Sequence, residues 1–377
     1  MFVLKHYDTP LCRFELFDDP LEGQKARIDW IDETKKQLIP IGMQCSDEGL
    51  MAWLKGRTIP KNRAFVQSFL AKNGLNPGDT RGILQVCRGL SLNDCYWIVE
   101  DGFEGTFAQY NLYEHDFMTV LSLIAYTGYG STRIHGFTSS PEFTTGGMLR
   151  KAWRRDRKTG KTILYKGGTS GAANTGKEPY SEFYASQIAE VMGLPHVTYG
   201  LSSWKHDICS TCELFTDMDH SYVPMYRFVQ KPTLRTVGDF LTQLGPEYYD
   251  VFADMLIFDA LICNEDRHFG NFGLMVDNHV NQPIGFAPIF DNGLSLFNYA
   301  MEDDLQDTTA YAKTRLSAYQ VPFENIVREF ITARQKDQLR RMIGFRFEKH
   351  PRYNLPAARL KALEHYLADR VTEMLSM

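Results

Sequence analysis

The stretch Asn-Glu-Asp-Arg-His-Phe-Gly-Asn, residues 264–271, is the most informative part of this sequence, and Asp-Asn-Gly follows at residues 291–293. An apolar run at residues 251–263 precedes the first stretch and predicts a buried helix. Apolar runs at 272–276 and 283–290 flank the polar residues 277–282, which predicts a β-hairpin ending just before the second stretch. Both stretches are therefore expected to be adjacent loops at element ends, where functional groups commonly lie.

The residue types in these loops suit phosphoryl transfer. That reaction needs a carboxylate to orient the attacking hydroxyl, oxygen ligands for Mg²⁺ and a cation for the nucleotide phosphates. Magnesium is commonly held by few protein oxygens, completed by water and phosphate, so we predict Asn271 and Asp291 as its ligands. Asp266, five residues before Asn271 on the same loop, is then placed to orient the hydroxyl. An upstream lysine would supply the cation.

The order Asp266-Arg267-His268-x-x-Asn271, with Asp291 twenty residues later, resembles the HipA-like serine/threonine kinases. These are the toxin-side kinases of bacterial toxin-antitoxin pairs. The same order is also similar to the catalytic loop of phosphoinositide kinases. The resemblance covers about residues 115–345 and implies ATP and Mg²⁺ as cofactors. His268 is a candidate for a further catalytic residue, and the alternative is a structural histidine that holds the loop. The metal motif departs from Asp-Phe-Gly, so an aromatic switch at that place is not expected.

Upstream, the resemblance assigns further roles. Residues 163–166 resemble the strand that carries the phosphate-binding lysine, here Lys166, and residues 181–184 resemble the start of the helix that carries its partner, here Glu182. Small residues occupy the position of the phosphate loop, although they lack a three-glycine pattern. The nucleotide contacts implied there and at the adenine hinge are Thr145, Gly146, Gly147, Glu213 and Phe215.

Self-modification is a further implication. HipA-like kinases phosphorylate a hydroxyl in this loop, and the candidates here are Ser139, Ser140, Thr144 and Thr145. A phosphate carries nearly two negative charges and could pair with the basic residues that begin at Arg150. The resemblance therefore implies autophosphorylation, while the position cannot be carried over. The alternative is that these residues only form a polar turn.

Local patterns predict several other elements. Residues 156–161 are the turn of a hairpin spanning residues 148–166. A helix is expected from Ser181, as its N-cap, to a stop at Gly193. Another begins after Ile59, and further helices are predicted at 116–127, 324–344 and 356–375. Residues 1–6 and 83–86 are predicted strands.

Residues 171–177 form a deceptive motif, because they fit G-x-x-x-x-G-K, the beginning of a P-loop. The next residue is Glu178, where a Ser or Thr hydroxyl should bind Mg²⁺, and Pro179 follows. The sequence therefore predicts no P-loop here.

The composition limits the classes of protein to which this chain can belong. The 377 residues are 44% hydrophobic and 23% charged with a net charge of −5, typical of a globular chain and unfavourable for direct nucleic-acid binding. No long apolar run predicts a membrane span. A start without a signal-peptide pattern and seven cysteines, an odd number, predict a cytoplasmic protein with reduced thiols.

These observations predict an α+β, two-lobed protein-kinase-like fold with an N-terminal accessory α/β unit. The predicted parts are an accessory unit at residues 1–115, an N-lobe at 116–230 and a helical C-lobe at 231–377. The predicted activity is ATP- and Mg²⁺-dependent transfer of the γ-phosphoryl group to a Ser or Thr hydroxyl of a protein, with an antitoxin as a further partner. A lipid or small-molecule kinase and a non-catalytic pseudokinase that binds a partner remain open as alternatives.

Overall fold

The computed structural model describes residues 1–130 and 136–377. The chain forms two compact units. Unit 1 comprises Met1–Tyr165, Leu214–Val223 and Met275–Ile284, and unit 2 comprises Lys166–Glu213, Pro224–Leu274 and Gly285–Met377. The three-part division into accessory unit and lobes stays a prediction.

Strands and helices occur in consecutive groups along the chain. The strands are β1 Phe2–His6, β2 Thr9–Asp19, β3 Gly23–Ile31, β4 Tyr96–Glu100, β5 Lys151–Arg155, β6 Thr162–Gly167, β7 Tyr199–Trp204, β8 Asp207–Glu213, β9 His220–Pro224, β10 Gly273–Asp277 and β11 Gln282–Phe286. The helices are α1 Asp47–Gly56, α2 Val66–Lys72, α3 Thr80–Cys87, α4 Phe107–Tyr110, α5 Thr119–Thr127, α6 Glu178–Met192, α7 Met225–Phe228, α8 Leu234–Leu244, α9 Pro246–Ile262, α10 Thr308–Lys313, α11 Phe323–Phe330, α12 Ala333–Arg340 and α13 Ala357–Ser376.

Unit 1 begins with a sheet of order β3-β2-β1-β4, in which β1 pairs antiparallel with both β2 and β4. Phe2 lies opposite Phe14, and their rings stack with centroids 5.8 Å apart. Leu50 and Leu54 of α1 are fully buried and belong to the same apolar cluster as these strands. Burial of these side chains is the main stabilising contribution to this layer.

The other two sheets have the orders β5-β6-β8-β7 and β11-β10-β9. In the first, β7 and β8 form an antiparallel hairpin that places Tyr199 opposite Cys212 and Trp204 opposite Asp207. The predicted hairpins at 148–166 and 272–290 are both present, as β5 with β6 and β10 with β11.

Unit 2 is organised around α9, which is buried at every position from Phe252 to Ile262. Pro246 occupies its first turn, where a missing N–H costs nothing, and Cys263 ends the helix in the left-handed conformation with φ 49°. Most of the apolar cluster of unit 2 surrounds this helix, including residues from α6, α11 and α13. The sequence prediction of a buried helix here is confirmed.

Three local predictions are wrong in detail. Residues 83–86 belong to helix α3, whose buried Ile83, Leu84 and Cys87 follow a helical spacing. Helix α6 begins at Glu178 rather than beyond Ser181, since Pro179 suits the first turn. The helix predicted at 324–344 is interrupted at Ile331, and Thr332 caps a new helix with Gln335 in a capping box.

The helix expected after Ile59 begins later, at Val66, behind a left-handed Phe65. Gly193 ends α6, as predicted, and Gly128 ends α5; both glycines have the left-handed conformation. In the part of the chain that the structure describes, no helix combines the length and apolarity needed to cross a bilayer.

Candidate active site

The loop that follows α9 is fixed first by its own polar residues. Asn264 donates its backbone N–H to Asp259 O at 2.9 Å and its side-chain amide to Asp259 Oδ1 at 2.9 Å. Its Oδ1 accepts the backbone N–H of Asp266 at 3.2 Å. Asn264 is fully buried, so these bonds satisfy an amide that water does not reach. They set the direction in which the chain leaves the helix.

Arg267 is the centre of the loop. Its guanidinium is 1% exposed and pairs with Asp259, with Nε 3.0 Å from Oδ2 and Nη2 3.1 Å from Oδ1. Nη1 donates to the backbone oxygens of Asn271, at 2.9 Å, and Phe290, while Nη2 also donates to Asn292 Oδ1 at 2.5 Å. All five guanidinium donors are therefore used. A single side chain joins the end of α9, the 264–271 loop and the segment around Asp291.

Asp266 and Asn271 are adjacent within this loop. Asn271 Nδ2 donates to the Asp266 backbone oxygen at 2.9 Å and lies 3.5 Å from Asp266 Oδ2. Burial raises the pKa of Asp266 above its ordinary value, and the charge of Asp291 raises it further. The carboxylates of Asp266 and Asp291 are thus close enough to influence each other. The sequence prediction that these two loops are adjacent agrees with this arrangement.

His268 has a different environment from the other loop residues, because its side chain is exposed. The Gly270 backbone N–H donates to His268 Nδ1 at 3.0 Å. The backbone N–H of His268 donates to the Asp266 backbone oxygen at 2.8 Å. These contacts shape the turn between Asp266 and Asn271. The catalytic role of His268 stays a prediction.

Lys166, Glu182 and Asp291 form a charged cluster. Lys166 Nζ is 2.7 Å from Glu182 Oε1 and also forms an ion pair with Asp291 Oδ1. The other carboxylate oxygen of Glu182 accepts the Asn292 backbone N–H at 2.8 Å. Asp291 has φ 56°, a left-handed conformation that Asp tolerates better than most residues, and its N–H donates to Tyr199 Oη at 3.1 Å. The ion pair of Lys166 with Glu182 is as the resemblance implied.

The electrostatics of this cluster follow from burial and charge. Burial lowers the pKa of Lys166, but the carboxylates of Asp291 and Glu182 outweigh burial and raise the pKa above its ordinary value. Burial is also the largest influence on the pKa of Glu182 and raises it, while Lys166 acts in the opposite direction. Lys166 is therefore a permanent cation at neutral pH.

The side-chain oxygens of Asn271 and Asp291 fit a magnesium ion better than a transition metal. Both described hydrogen bonds of the Asn271 side chain are donated by Nδ2, so its Oδ1 is the atom left for a cation. Asp291 supplies a carboxylate. Within residues 1–130 and 136–377, no group of three His, Cys, Asp or Glu side chains forms a metal site. One amide and one carboxylate oxygen match an ion that keeps water and phosphate ligands.

The residues of the predicted phosphate loop lie in unit 1 and make their described contacts there. Thr145 Oγ1 donates to Pro141 O at 2.8 Å and accepts the Trp153 indole N–H at 3.1 Å. Gly146 and Gly147 are exposed. The buried Arg63 braces this segment by donating to Thr145 O at 2.9 Å and Lys151 O at 2.6 Å. Their contact with nucleotide stays a prediction.

The four candidate hydroxyls for self-modification differ in exposure. Ser140 and Thr144 are buried, at 1% and 8% exposure, whereas Ser139 and Thr145 are partly exposed. Thr144 Oγ1 donates to Leu90 O at 2.7 Å, and Ser139 Oγ to Asp116 O at 3.2 Å.

The predicted hinge residues lie at and just beyond the end of β8. Glu213 is its exposed last residue. Phe215 is partly buried, with its ring 5.8 Å from that of Tyr222. Adenine contact by either residue stays a prediction.

Sequence reasoning missed the partners that hold the site together. The carboxylate of Asp259 pairs with Arg267, a contact that the sequence analysis does not include. A charge inside an apolar helix requires an opposite charge nearby, so the arginine eight residues later was an available signal. Tyr199 and Asn292, which contact Asp291 N and Arg267 respectively, had no such signal.

No family model matches the chain. A curated relative, the serine/threonine-protein kinase CtkA of Helicobacter pylori (strain J99), is 27% identical over 140 residues, which are 33% of this chain and 42% of that protein. The aligned part is thus less than half of that relative.

Solved structures also resemble the chain, among them those of a HipA and a CtkA protein. HipA of the Shewanella oneidensis MR-1 toxin-antitoxin system, solved with HipB and its operator DNA, has a TM-score of 0.53 and 12% identity over 100% of both chains. The proinflammatory kinase CtkA of Helicobacter pylori has a TM-score of 0.47 and 18% identity, over 60% of this chain and 93% of that one.

The fold that emerges is a kinase-like fold of mixed helices and strands, as the sequence predicted. More narrowly, it is similar to the fold of Shewanella HipA, with which this chain aligns along its whole length. The resemblance drawn from the catalytic-loop motif is confirmed at the level of the fold.

Proposed function

We propose that this chain is a serine/threonine protein kinase of HipA type, which transfers the γ-phosphoryl group of ATP to a hydroxyl in the presence of Mg²⁺. The observation that carries the proposal is the cluster in which Lys166 contacts both Glu182 and Asp291. Arg267 ties the segment carrying Asp291 to the loop carrying Asp266 and Asn271. A cation for phosphates, oxygens for a metal and a carboxylate for a hydroxyl are the groups that phosphoryl transfer requires.

Each residue of the candidate site has a separate role in this reaction. Lys166 binds the nucleotide phosphates and Glu182 holds the lysine in position. Asp266 accepts a hydrogen bond from the Ser or Thr hydroxyl and takes its proton as that oxygen bonds to the γ-phosphorus. The bond from the γ-phosphorus to the bridging oxygen breaks, and ADP leaves with the electron pair. Asn271 and Asp291 hold Mg²⁺, which neutralises phosphate charge when bound.

Asp266→Asn tests the central role. The amide keeps the size of the side chain but cannot take a proton, so we expect transfer to be abolished and MgATP affinity to change only a few-fold. Asp291→Ala should instead weaken the Mg²⁺-dependent part of nucleotide binding. Phosphoryl transfer to a generic protein and thermal shifts with ATP, with and without Mg²⁺, measure the two effects.

Asp337→Asn is the matched control, because Asp337 is an exposed carboxylate paired only with Arg340 among its described contacts. It should leave both measurements unchanged. More than a tenth of wild-type transfer in Asp266→Asn would refute the assigned base. Transfer to lipid or small-molecule acceptors alone would favour that alternative class of kinase, and Mg²⁺-dependent binding without any transfer would favour a pseudokinase.

Regulation and partners form part of the same proposal. Autophosphorylation in the 139–145 segment and an antitoxin-like protein partner are inferred from the HipA resemblance, and the Shewanella HipA structure includes HipB and operator DNA. The net charge of −5 supports contact with nucleic acid through such a partner rather than directly. We also propose a cytoplasmic location and a role as a toxin. Co-purification with the product of a neighbouring gene tests the partnership.

A further inference from the structure

Unit 2 contains a cavity of about 710 Å³ outside the residues assigned to phosphoryl transfer. Three segments line it: the loop before α6, the residues that follow Tyr299, and the first turns of α13. Much of the wall is apolar, including Ala173, Met301, Leu305 and Ala362. The space is far larger than one small ion, so it suits an organic ligand.

Two cations line the cavity without an ion-pair partner among the described residues. Arg359 is 7% exposed and donates to two backbone oxygens, of Ala300 at 3.0 Å and of Phe297. Its buried Nε has no hydrogen-bond partner in the described part of the chain. Lys177 is half-buried and donates to Asn174 O at 2.8 Å, which leaves two of its three donors. A buried guanidinium without a carboxylate is costly unless an anion accompanies it.

These cations also affect each other. Burial lowers the pKa of Lys177, and the charge of Arg359 lowers it further. Burial likewise lowers the pKa of Arg359. A bound anion would relieve this repulsion.

The loop that carries Lys177 has the G-x-x-x-x-G-K pattern noted in the sequence. In the structure, Gly176 has φ +83° and Lys177 is the N-cap of the fifteen-residue helix α6. Pro179 has no N–H, and the N–H groups of Tyr180 and Ser181 donate to Lys177 O at 3.0 Å, so the helix N-terminus itself adds little to anion binding. The carboxylate of Glu178 is engaged by Thr169, whose hydroxyl donates to Oε1 at 2.5 Å and whose N–H donates to Oε2 at 3.2 Å. The anion-binding group that this motif offers is therefore the Lys177 side chain, without the hydroxyl of a P-loop.

We propose that this cavity binds a phosphomonoester, with its phosphate between Lys177 and Arg359 and its organic part against the apolar wall. Glu302 and Asp303 also line the cavity, but both are exposed, so water and salt screen their repulsion. The free donors of Lys177 bond to the phosphate oxygens, and the Arg359 guanidinium contributes its positive charge at the cavity wall. The ligand is either a phosphorylated side chain of a peptide or a small phosphorylated molecule, because both present the same group.

The site is coupled to the candidate active site through one helix. Lys177 caps α6, and Glu182 on its second turn pairs with Lys166. A ligand on the first turn of α6 would therefore stabilise the helix that holds Lys166. The binding site itself does not depend on the proposed kinase activity.

The test is binding of phosphoserine, inorganic phosphate and a phosphoserine peptide to the full chain, measured by calorimetry, with serine as the uncharged control. We expect phosphoserine to bind and serine not to bind. Lys177→Gln should weaken phosphoserine binding at least about tenfold, since it removes a charge-assisted hydrogen bond. A peptide that binds more tightly than free phosphoserine identifies a protein ligand, and equal affinities identify a small molecule.

Two control variants test whether phosphoserine binds at this cavity rather than at another lysine. Lys166→Met removes the buried lysine of the candidate active site, which does not line the cavity, and should reduce phosphoserine affinity far less than Lys177→Gln does. Lys313→Gln removes an exposed lysine that lines a different cavity, of about 590 Å³, and should also have no effect. The proposal is overturned if no phosphomonoester binds, if Lys177→Gln binds as tightly as wild type, or if Lys166→Met abolishes binding.

Discussion

At the scale of single residues, Arg267 decides whether the candidate site exists as a unit. Lysine could not replace it, because an ammonium has three donors and no planar fork, whereas Arg267 uses five donors toward four residues. Residue types and spacing were enough to predict Asp266, Asn271 and Asp291 as site residues. The hydrogen bonds of Arg267 could not be predicted, because the distance between two loops depends on how the whole unit packs.

Arg267→Met should strongly destabilise the protein. The substitution leaves the buried Asp259 without its cation and leaves three further acceptors without a donor, so we expect a loss of about 3–5 kcal/mol. Urea unfolding followed by circular dichroism measures the free energy of unfolding.

Two comparisons control this experiment. Arg340→Met removes an exposed arginine paired with Asp337 and should leave stability within experimental error. Adding Asp259→Leu to Arg267→Met should cost less than the sum of the two single variants, because the residues form one ion pair. Additive effects would mean that the pair does not couple the helix to the loop.

At the scale of elements, helix α6 and the segments around it show how far sequence patterns reach. Its stop at Gly193 was predictable, since glycine readily takes the left-handed conformation. The start of α6 was not predictable. Ser181 is a residue type that is common at N-caps, but its hydroxyl donates to the backbone oxygen of Ser295, a residue distant in sequence, at 3.0 Å. The break at Ile331 was signalled by the capping pattern from Thr332 to Gln335, which the apolar periodicity concealed.

Exposure within the 139–145 segment predicts where autophosphorylation occurs. Ser140 and Thr144 are buried and their hydroxyls are hydrogen-bonded, so modification there requires the segment to open. Ser139 and Thr145 are partly exposed. After incubation with MgATP, we expect intact-mass measurement to show added phosphate and peptide mapping to place it on Ser139 or Thr145.

Paired alanine variants make the mapping decisive. Ser139→Ala with Thr145→Ala should eliminate the added mass, while Ser140→Ala, at a neighbouring but buried hydroxyl, should retain it. Phosphate found only on Ser140 or Thr144 would contradict the argument from exposure. Phosphate found only outside residues 139–145, or none in active protein, would remove self-modification of this segment from the proposed function.

At the scale of the whole molecule, each unit has its own apolar cores. The core of unit 2 surrounds α9, while the described residues of unit 1 form three separate clusters, one of which packs β1 to β4 against α1. The kinase-like fold was predictable from a motif in unit 2 alone. The division of the chain was not, because unit 1 includes the short segments Leu214–Val223 and Met275–Ile284, far from its main part in sequence. Segments that join a unit from a distant part of the chain have no local sequence pattern that indicates it.

Unit 1 also contains a titrating group that makes its stability depend on pH. His6 ends β1, is 3% exposed, and has its ring centroid 4.7 Å from that of Tyr96. Burial lowers the pKa of His6 from 6.5 to about 4, although Asp94 opposes this shift. Between these values the unfolded chain binds a proton that the folded chain does not, so stability falls as pH falls. The loss should reach about 3 kcal/mol once pH is below the folded pKa.

His6→Gln tests this argument, because glutamine does not titrate. The variant is expected to be less stable than wild type near neutral pH, since it loses ring packing, but its stability should change less between about pH 7 and about pH 5. Urea midpoints at each pH give the comparison. His365→Gln, at an exposed histidine of unit 2, should keep the wild-type dependence. If His6→Gln loses as much stability on acidification as wild type does, another group governs the response and the buried imidazole is not its source.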